Sequence, residues 1–153
     1  MQIMSITKKG KAYFGTCQED IHEELSRYAK LAGYEIHHFK DVICECGNTT
    51  FTLHIDDEEC VAGRTCTSCG VQHVMLDGED YLENAELYHA ICTCESEPFE
   101  ITVGVNLYSD EEGLSKDVRW LYIGCRCPKC NQVGCYADWK NEFNGYETLL
   151  SNA

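Results

Sequence analysis

The chain of 153 residues has little of several features that mark common classes of protein. It has no apolar run near the roughly 18 residues that a membrane-spanning helix needs, so no membrane association is expected. Its first ten residues lack the basic region, long apolar run and cleavage site of a signal peptide. We therefore predict a cytoplasmic protein. Only two prolines occur, Pro98 and Pro128, and no segment is of low complexity.

Basic residues are also scarce. The chain has 12 Lys or Arg against 26 Asp or Glu, which gives a formal net charge of −14. Residues 1–40 hold six of the basic residues and five of the acidic ones, so the acidic excess lies in residues 41–153. Such a surface repels nucleic-acid phosphates, which disfavours a nucleic-acid ligand. It attracts and steers a basic protein partner. The alternative is that acidity only keeps a small protein soluble.

Sequence motifs of catalytic sites are missing as well. No Gly-rich phosphate loop and no nucleophilic Ser elbow occurs. His22-Glu23-Glu24 supplies the His-x-Glu half of a zinc-deaminase signature, but the companion Pro-Cys-x-x-Cys is absent, because Pro128 lies between its two cysteines. A His-Glu-x-x-His motif fails at Ser26, and Cys135 has no local base beside it. We predict that the chain is not an enzyme.

Cysteine, in contrast, is abundant, with 12 in the chain. A Cys-x-Cys pair followed by a Cys-x-x-Cys pair occurs twice, and each set supplies the four thiols that a tetrahedral zinc ion needs. In a reducing cytoplasm, clustered thiols favour metal over disulfides. We predict two structural zinc ions, with an iron–sulfur centre or disulfides as alternatives. The ligands of the first ion are Cys44, Cys46, Cys66 and Cys69, and those of the second are Cys92, Cys94, Cys127 and Cys130.

The two cysteine sets belong to an internal duplication. Val42–Cys46 matches Ala90–Cys94 at an offset of 48 residues, and a Phe follows at the same distance in each copy, Phe51 and Phe99. The Cys-x-x-Cys pairs match at an offset of 61, so the second copy is longer by 13 residues. We place the extra residues in a longer hairpin within residues 105–118. Residues 80–86, between the copies, are predicted to be a helical turn or a linker.

Four cysteines and six histidines lie outside these sets. The repeat alignment selects Cys127 and Cys130 rather than Cys125 as ligands, although Cys125 and Cys135 lie near the second site in sequence. Cys17, Cys60, Cys125 and Cys135 are predicted to be small buried apolar residues. Because each site already has four thiols, no histidine is needed as a ligand.

Residues 1–40 have a different pattern. Two strand-like segments, Ile3–Ile6 and Ala12–Phe14, flank a turn at Gly10 and predict a β-hairpin. Apolar residues then recur at helical spacing, which predicts a helix over residues 18–32 that ends at Gly33. Thr16 and Glu19 have the spacing of a capping box. A strand over residues 35–43 is expected to lead into the first cysteine pair.

The cysteine sets resemble tandem zinc ribbons, and the run Arg119–Cys127 with Asp138–Lys140 is similar to tails of small uncharacterised bacterial proteins. The zinc-ribbon class occurs in transcription factors, RNA-polymerase subunits, ribosomal proteins and protein adaptors, so it implies a fold rather than one function. We predict an α+β fold that is mostly β. Its segments are an N-terminal hairpin and helix (1–40), a first zinc ribbon (41–87) and a second zinc ribbon with a C-terminal tail (88–153).

The resulting functional hypothesis is a non-catalytic, zinc-binding, acidic module that binds a protein partner of basic charge. A sharper form is an immunity-type inhibitor of a basic bacterial toxin. The alternative is a nucleic-acid or transcription-associated ribbon. It would use four cations and four aromatic residues: Arg119, Arg126, Lys129 and Lys140, with Trp120, Tyr122, Tyr136 and Trp139.

Overall fold

The structure is a computed structural model, and it describes residues 5–153. These residues form an α+β fold that is mostly β, as predicted. The elements are β1 (Thr7–Lys9), β2 (Ala12–Phe14), α1 (Glu19–Ala32), β3 (His38–Asp41), β4 (Phe51–Asp56), β5 (Val61–Cys66), β6 (Gln72–Val74), a 3₁₀ helix (Gly78–Asn84), β7 (Tyr88–Ala90), β8 (Glu100–Asp110), β9 (Gly113–Arg126), β10 (Gln132–Lys140) and α2 (Tyr146–Leu150). No helix among residues 5–153 combines the length and the apolar character needed to cross a membrane.

The N-terminal hairpin and helix are present, with one correction. The first strand of the hairpin is β1, and the predicted positions Ile3 and Met4 lie outside the described residues. Helix α1 ends at Gly33, whose φ of +89° is left-handed, as predicted. The capping box of Thr16 and Glu19 is wrong. Because the helix begins at Glu19 and its N-cap residue is Gln18, Thr16 is not in the capping position. The Asp20 carboxylate instead accepts the backbone N–H groups of Thr16 (2.7 Å) and Cys17 (3.3 Å).

The strands form two sheets. The six-stranded sheet has the order β1-β2-β10-β9-β8-β3, and the four-stranded sheet has the order β6-β5-β4-β7. Strands β8 and β9 form the long hairpin, which closes where Asp110 pairs with Gly113. The prediction of extra residues between 105 and 118 is therefore confirmed. The segment between the copies contains the 3₁₀ helix Gly78–Asn84.

Each repeat gives its first strand to the sheet of the other repeat. Strand β3, which leads into the first cysteine set, pairs with β8 of the second copy, and Lys40 lies opposite Val103. Strand β7, which leads into the second set, pairs with β4 of the first copy, and Tyr88 lies opposite Ile55. These pairs are equivalent at the repeat offset of 48, so the exchange is reciprocal. Strand pairing thus crosses both predicted segment boundaries, while the division into three segments stays a prediction.

Two apolar clusters stabilise this arrangement. The larger one joins the two sheets, with Leu53 and Ile55 from the first copy and Ile101 and Val103 from the second. The smaller one lies under α1, where Ile21, Leu25 and Ala29 pack on Tyr122 and Val133 of the six-stranded sheet. Helix α1 therefore covers one face of the second copy's sheet, and the other face meets the first copy.

Candidate metal centres

The first cysteine pair of each copy lies on a tight loop with the same hydrogen bonds. In the first copy the Cys44 amide donates to Asn48 O (2.9 Å) and the Gly47 amide donates to Cys44 O (2.8 Å). In the second copy Cys92 donates to Ser96 O (2.9 Å) and Glu95 donates to Cys92 O (2.8 Å). The loops thus turn two thiols toward one point in each copy.

The Cys-x-x-Cys pairs also match. The Cys66 amide donates to Val71 O (3.0 Å), and the Cys127 amide donates to Gln132 O (2.9 Å). Gly70 has a φ of +76°, and Asn131, its equivalent at the offset of 61, has a φ of +70°. Gly47 and Glu95 are likewise equivalent, with φ of +93° and +73°. Glycine adopts a positive φ without strain, and the second copy has the same backbone at Glu95 and Asn131 without glycine.

The structure brings all eight predicted cysteines together in the two predicted groups of four, and the four sulfur atoms of each group lie within 4.8 Å of one another. The sulfur pairs Cys44–Cys69 and Cys46–Cys66 are each 3.6 Å apart. The pairs Cys92–Cys130 and Cys94–Cys127 have the same separation, 3.6 Å. Four thiolates about 2.3 Å from a tetrahedral zinc ion lie about 3.8 Å apart, whereas a disulfide needs about 2.05 Å. Each group can therefore hold one metal ion.

Hydrogen bonds from nearby amide groups lower the pKa of one cysteine in each group, which favours the thiolate form that binds metal. Hydrogen bonding by the Cys69 amide and the Asn48 side chain lowers the pKa of Cys66 to about 5, despite the opposing effect of burial. Burial opposes ionisation of Cys127, but the amides of Cys130 and Lys129 outweigh it and lower its pKa to about 7. Burial and the neighbouring thiols raise the pKa of Cys130 to about 12. Four thiolates repel one another, so a bound cation is what allows all of them to ionise.

The two groups differ in exposure and in their surroundings. Cys46 and Cys69 of the first group are exposed, whereas Cys94 and Cys130 of the second are half-buried. The Asn48 amide donates to the Cys66 sulfur at 3.2 Å. Such hydrogen bonds, from groups that do not themselves touch the metal, orient a ligand and tune the metal. Because two of its four thiols are exposed, the first centre is the one more open to solvent.

No protein-family model, curated protein or solved structure matches the chain.

The remaining thiols lie outside both groups. Cys125 is fully buried on β9, and burial raises its pKa well above the usual value. Cys135 packs against the cluster under α1, and burial raises its pKa too. The prediction of burial holds for Cys125, while Cys17 is exposed and Cys60 and Cys135 are half-buried. Sequence reasoning was therefore wrong about Cys17.

The histidines serve other contacts in the structure. His22 Nε2 lies 2.7 Å from a carboxylate oxygen of Asp41. The His54 and His89 rings stack with their centroids 4.7 Å apart. Both metal groups found among residues 5–153 consist of cysteines alone.

The residues considered for base stacking are largely engaged within the fold. Tyr122 is fully buried and Trp139 is buried, and Trp120 stacks on Tyr34 at 4.5 Å. The buried guanidinium of Arg126 forms an ion pair with Glu100. These four side chains pack within the fold, whereas the cations Arg119, Lys129 and Lys140 are exposed. The set therefore does not form one exposed surface of aromatic rings and cations.

Proposed function

We propose that the chain is a non-catalytic zinc-binding protein whose two zinc ions stabilise its fold and whose acidic surface binds a basic protein partner. The observation that carries the zinc assignment is the tetrahedral spacing of four thiols in each group. Four soft ligands complete the coordination of zinc and leave no position for water or substrate, which is typical of structural sites. An all-thiol site also suits iron, so the identity of the metal needs measurement.

The metal assignment is tested on protein purified without added metal. Elemental analysis is expected to give two zinc ions per chain, with no visible absorption band. If the analysis finds iron and sulfide, and the protein absorbs visible light, the centres are iron–sulfur clusters and the zinc assignment is wrong. A protein without metal, and with thiols oxidised in pairs, would support the disulfide alternative.

The partner-binding part of the proposal rests on a region that we call the acidic face. It comprises the turn between β4 and β5 and the residues from Asp77 to Glu86. Asp56 accepts the Glu86 amide at 2.7 Å, and the Tyr88 hydroxyl donates to Asp57 at 2.9 Å, so the two segments lie side by side. The carboxylates of this face are Asp56, Asp57, Glu58, Glu59, Asp77, Glu79, Asp80, Glu83 and Glu86.

A cavity of about 400 Å³ beside the acidic face suits a basic side chain. Carboxylates of Glu58, Glu59 and Asp77 line it, together with the aromatic rings of Tyr81 and Trp139. Lys140 also lines it, and its ammonium group is paired with the Glu142 carboxylate at 3.2 Å. Burial raises the pKa of Asp77, although the Asn141 amide donates to it at 3.1 Å and opposes that shift. A guanidinium or ammonium group in this cavity would contact these carboxylates and the exposed ring of Tyr81, and carboxylates and aromatic rings are the usual partners of such groups in proteins.

Charge reversal tests this face. The variant Glu79→Lys with Asp80→Lys and Glu83→Lys changes three exposed carboxylates of the acidic face. Its matched control reverses three exposed carboxylates at the tip of the β8–β9 hairpin: Asp110, Glu111 and Glu112. In a pull-down from the native host, wild type and control should retain a basic protein that the first variant loses. Recovery of no basic protein by wild type would contradict the proposal.

The immunity-type form adds that the partner is a bacterial toxin in the cytoplasm. It predicts a toxin-like reading frame beside the gene, and inhibition of that toxin by the purified chain.

The nucleic-acid alternative is tested by a mobility-shift assay at low salt, where phosphate contacts are strongest. Binding there, lost on reversal of the exposed cations Arg119 and Lys129, would replace the proposal.

A further inference from the structure

The duplication makes each metal centre an internal control for the other, and the two centres differ in how far their thiols are covered. Their ligands lie on equivalent loops with matching hydrogen bonds and sulfur spacings. Cys46 and Cys69 of the first centre are nonetheless exposed, whereas their equivalents Cys94 and Cys130 are half-buried. A difference in reactivity between the centres would therefore come from the side chains around the thiols.

A hydrogen bond between two side chains links the loops of the second centre. Thr93 Oγ1 donates to Gln132 Oε1 at 2.5 Å. Thr93 lies between the two ligands of the Cys-x-Cys pair, and Gln132 follows the Cys-x-x-Cys pair. At the repeat offsets of 48 and 61 residues, their equivalents in the first copy are Glu45 and Val71. These cannot form the same bridge, because valine has no polar side-chain group.

The corresponding edge of the first centre is open. A groove of about 730 Å³ lies there, and both Glu45 and Val71 line it. Three of the four ligands, Cys44, Cys46 and Cys69, line the same groove. A small solute can therefore reach the ligands of the first centre through the edge that Thr93 and Gln132 bridge in the second.

The first centre has its own link between loops, but at a different place. The Asn48 amide donates to the Thr67 hydroxyl at 3.0 Å and to the Cys66 sulfur at 3.2 Å. Asn48, Thr67 and Cys66 are not part of the groove lining. This link thus covers the side of Cys66 and leaves Cys46 and Cys69 at the open edge.

The exposed thiols have partners within reach for oxidation. Peroxides oxidise cysteine in its thiolate form, and susceptibility rises with exposure. Cysteine bound to zinc is held as a thiolate. The Cys69 sulfur lies 3.6 Å from that of Cys44, and the Cys46 sulfur lies 3.6 Å from that of Cys66. Each exposed sulfur therefore has a second thiolate beside it that can close a disulfide.

We propose that the first metal centre is a modification site for peroxides, at which Cys46 and Cys69 are attacked and zinc is released before the second centre reacts. One disulfide removes two of the four ligands, so its formation makes the centre a reversible, peroxide-sensitive switch. The inference rests on the zinc assignment of the proposed function. It does not depend on the acidic face or its partner.

The reaction uses one peroxide for each disulfide. The Cys69 thiolate attacks a peroxide oxygen, the O–O bond breaks, and hydroxide leaves, which gives a sulfenic acid. The Cys44 thiolate then attacks this sulfur, the S–S bond forms, and the S–O bond breaks with loss of a second hydroxide. Two protons from solvent convert the hydroxides to water, so two thiolates have given two electrons to the peroxide. Cys46 and Cys66 can react in the same way, and a thiol reductant reverses both steps.

The test uses the reduced, zinc-loaded full chain and excess hydrogen peroxide. A chromogenic zinc chelator follows metal release, and differential alkylation with mass spectrometry identifies the cysteines oxidised over time. We expect the thiols of the first centre to be oxidised at least about fivefold faster than those of the second, because exposure governs access of the oxidant. Reduction should restore zinc binding.

Three results would overturn the inference: equal rates at the two centres, faster oxidation of the second centre, or oxidation that a thiol reductant does not reverse. Failure of the zinc assignment looks different, because the reduced protein would then contain no zinc before peroxide is added.

Exchange of the bridge between the copies separates coverage from the thiols themselves. Glu45→Thr with Val71→Gln gives the first centre the pair found at the second, and should slow its oxidation by about threefold or more. Thr93→Glu with Gln132→Val should speed oxidation of the second centre. Glu45→Thr alone removes a charge without supplying a bridge, so it should keep the wild-type rate.

Zinc content and circular dichroism of the reduced variants report whether each is folded. Unchanged rates in both exchange variants, or slowing by Glu45→Thr alone as large as in the double variant, would contradict control of oxidation by the open edge.

Discussion

Phe51 and Phe99 are equivalent residues of the two repeats, and each donates its backbone N–H to the carbonyl of the other at 2.8 Å. A contact between equivalent residues marks a local two-fold relationship between the copies. On either side of it, β3 and β7 cross into the opposite sheets. Each metal centre is therefore connected through its leading strand to the sheet that carries the other centre.

This exchange predicts that the two metal ions bind cooperatively. A metal at the first centre fixes β3 at Cys44, and β3 is hydrogen-bonded to β8 of the second copy. Coupling between sites in proteins is typically about 1–3 kcal/mol, which is a change in affinity of about 5–150-fold. Native mass spectrometry during zinc titration should show less of the one-zinc species than independent sites would give.

Single-site variants test the same coupling. Cys66→Ser removes a ligand of the first centre, and we expect it to weaken zinc binding at the second centre by about fivefold or more. Cys127→Ser should have the reciprocal effect. Cys60→Ser, which changes a cysteine outside both groups, is the control. A variant that loses one zinc ion and keeps full affinity for the other would show that the ribbons are independent.

A second prediction concerns the close approach of α1 to the six-stranded sheet. A Cβ atom on Gly124 would lie 2.6 Å from Ile21 Cγ2 and 2.8 Å from Leu25 Cδ2. Gly124→Ala should therefore lower the free energy of unfolding by about 1–3 kcal/mol, the usual range for overpacking. Urea denaturation at constant zinc concentration measures the change.

The repeat again supplies the control. Gly63 is the equivalent of Gly124, but a Cβ there meets its nearest atom, the His73 carbonyl oxygen, at 3.6 Å, an ordinary contact. Gly63→Ala should change the free energy of unfolding by no more than about 0.5 kcal/mol. Equal effects of the two substitutions would contradict the packing of α1 described above.

The sequence was sufficient to predict some of these features, for identifiable reasons. Ligand spacing, the Phe51 and Phe99 positions and the longer second hairpin are local patterns, and each is found in the structure. The exchange of β3 and β7 was not predicted, because alternation of side chains identifies a strand but not the sheet it joins. Lys40 and Arg64 are 24 positions apart in the sequence, and only the pairing of the strands brings both to one cavity beside the first metal centre.

A third prediction compares equivalent left-handed residues in the cysteine loops. Gly47 has a φ of +93°, and its equivalent Glu95 has a φ of +73°. A side chain in this conformation costs about 1 kcal/mol or more, which glycine avoids. Gly47→Ala should lower the free energy of unfolding by about 1 kcal/mol.

The reciprocal change, Glu95→Gly, should leave stability unchanged or raise it by up to about 1 kcal/mol, since relief of strain is partly offset by the flexibility of glycine in the unfolded chain. Glu97→Gly, in the same loop but without a positive φ, should not be stabilising. Chemical denaturation of the zinc-loaded variants compares the three. Stabilisation by Glu97→Gly but not by Glu95→Gly would be inconsistent with strain at residue 95.

A fourth prediction concerns pH. Burial, and then the neighbouring His89, lower the pKa of His54 below its ordinary value. The unfolded chain therefore takes up a proton at this residue more readily than the folded protein, so His54 reduces stability as pH falls through the ordinary histidine range. His54→Thr, which introduces the residue found at the equivalent position, Thr102, should lose less stability than wild type between pH 7.5 and 5.5. At pH 7.5 residue 54 is largely uncharged in both wild type and variant. The change in the free energy of unfolding between the two pH values therefore separates the effect of protonation from the effect of the substitution itself. Denaturation curves at constant zinc concentration supply that change, and a change in the variant as large as in wild type would show that His54 is not responsible.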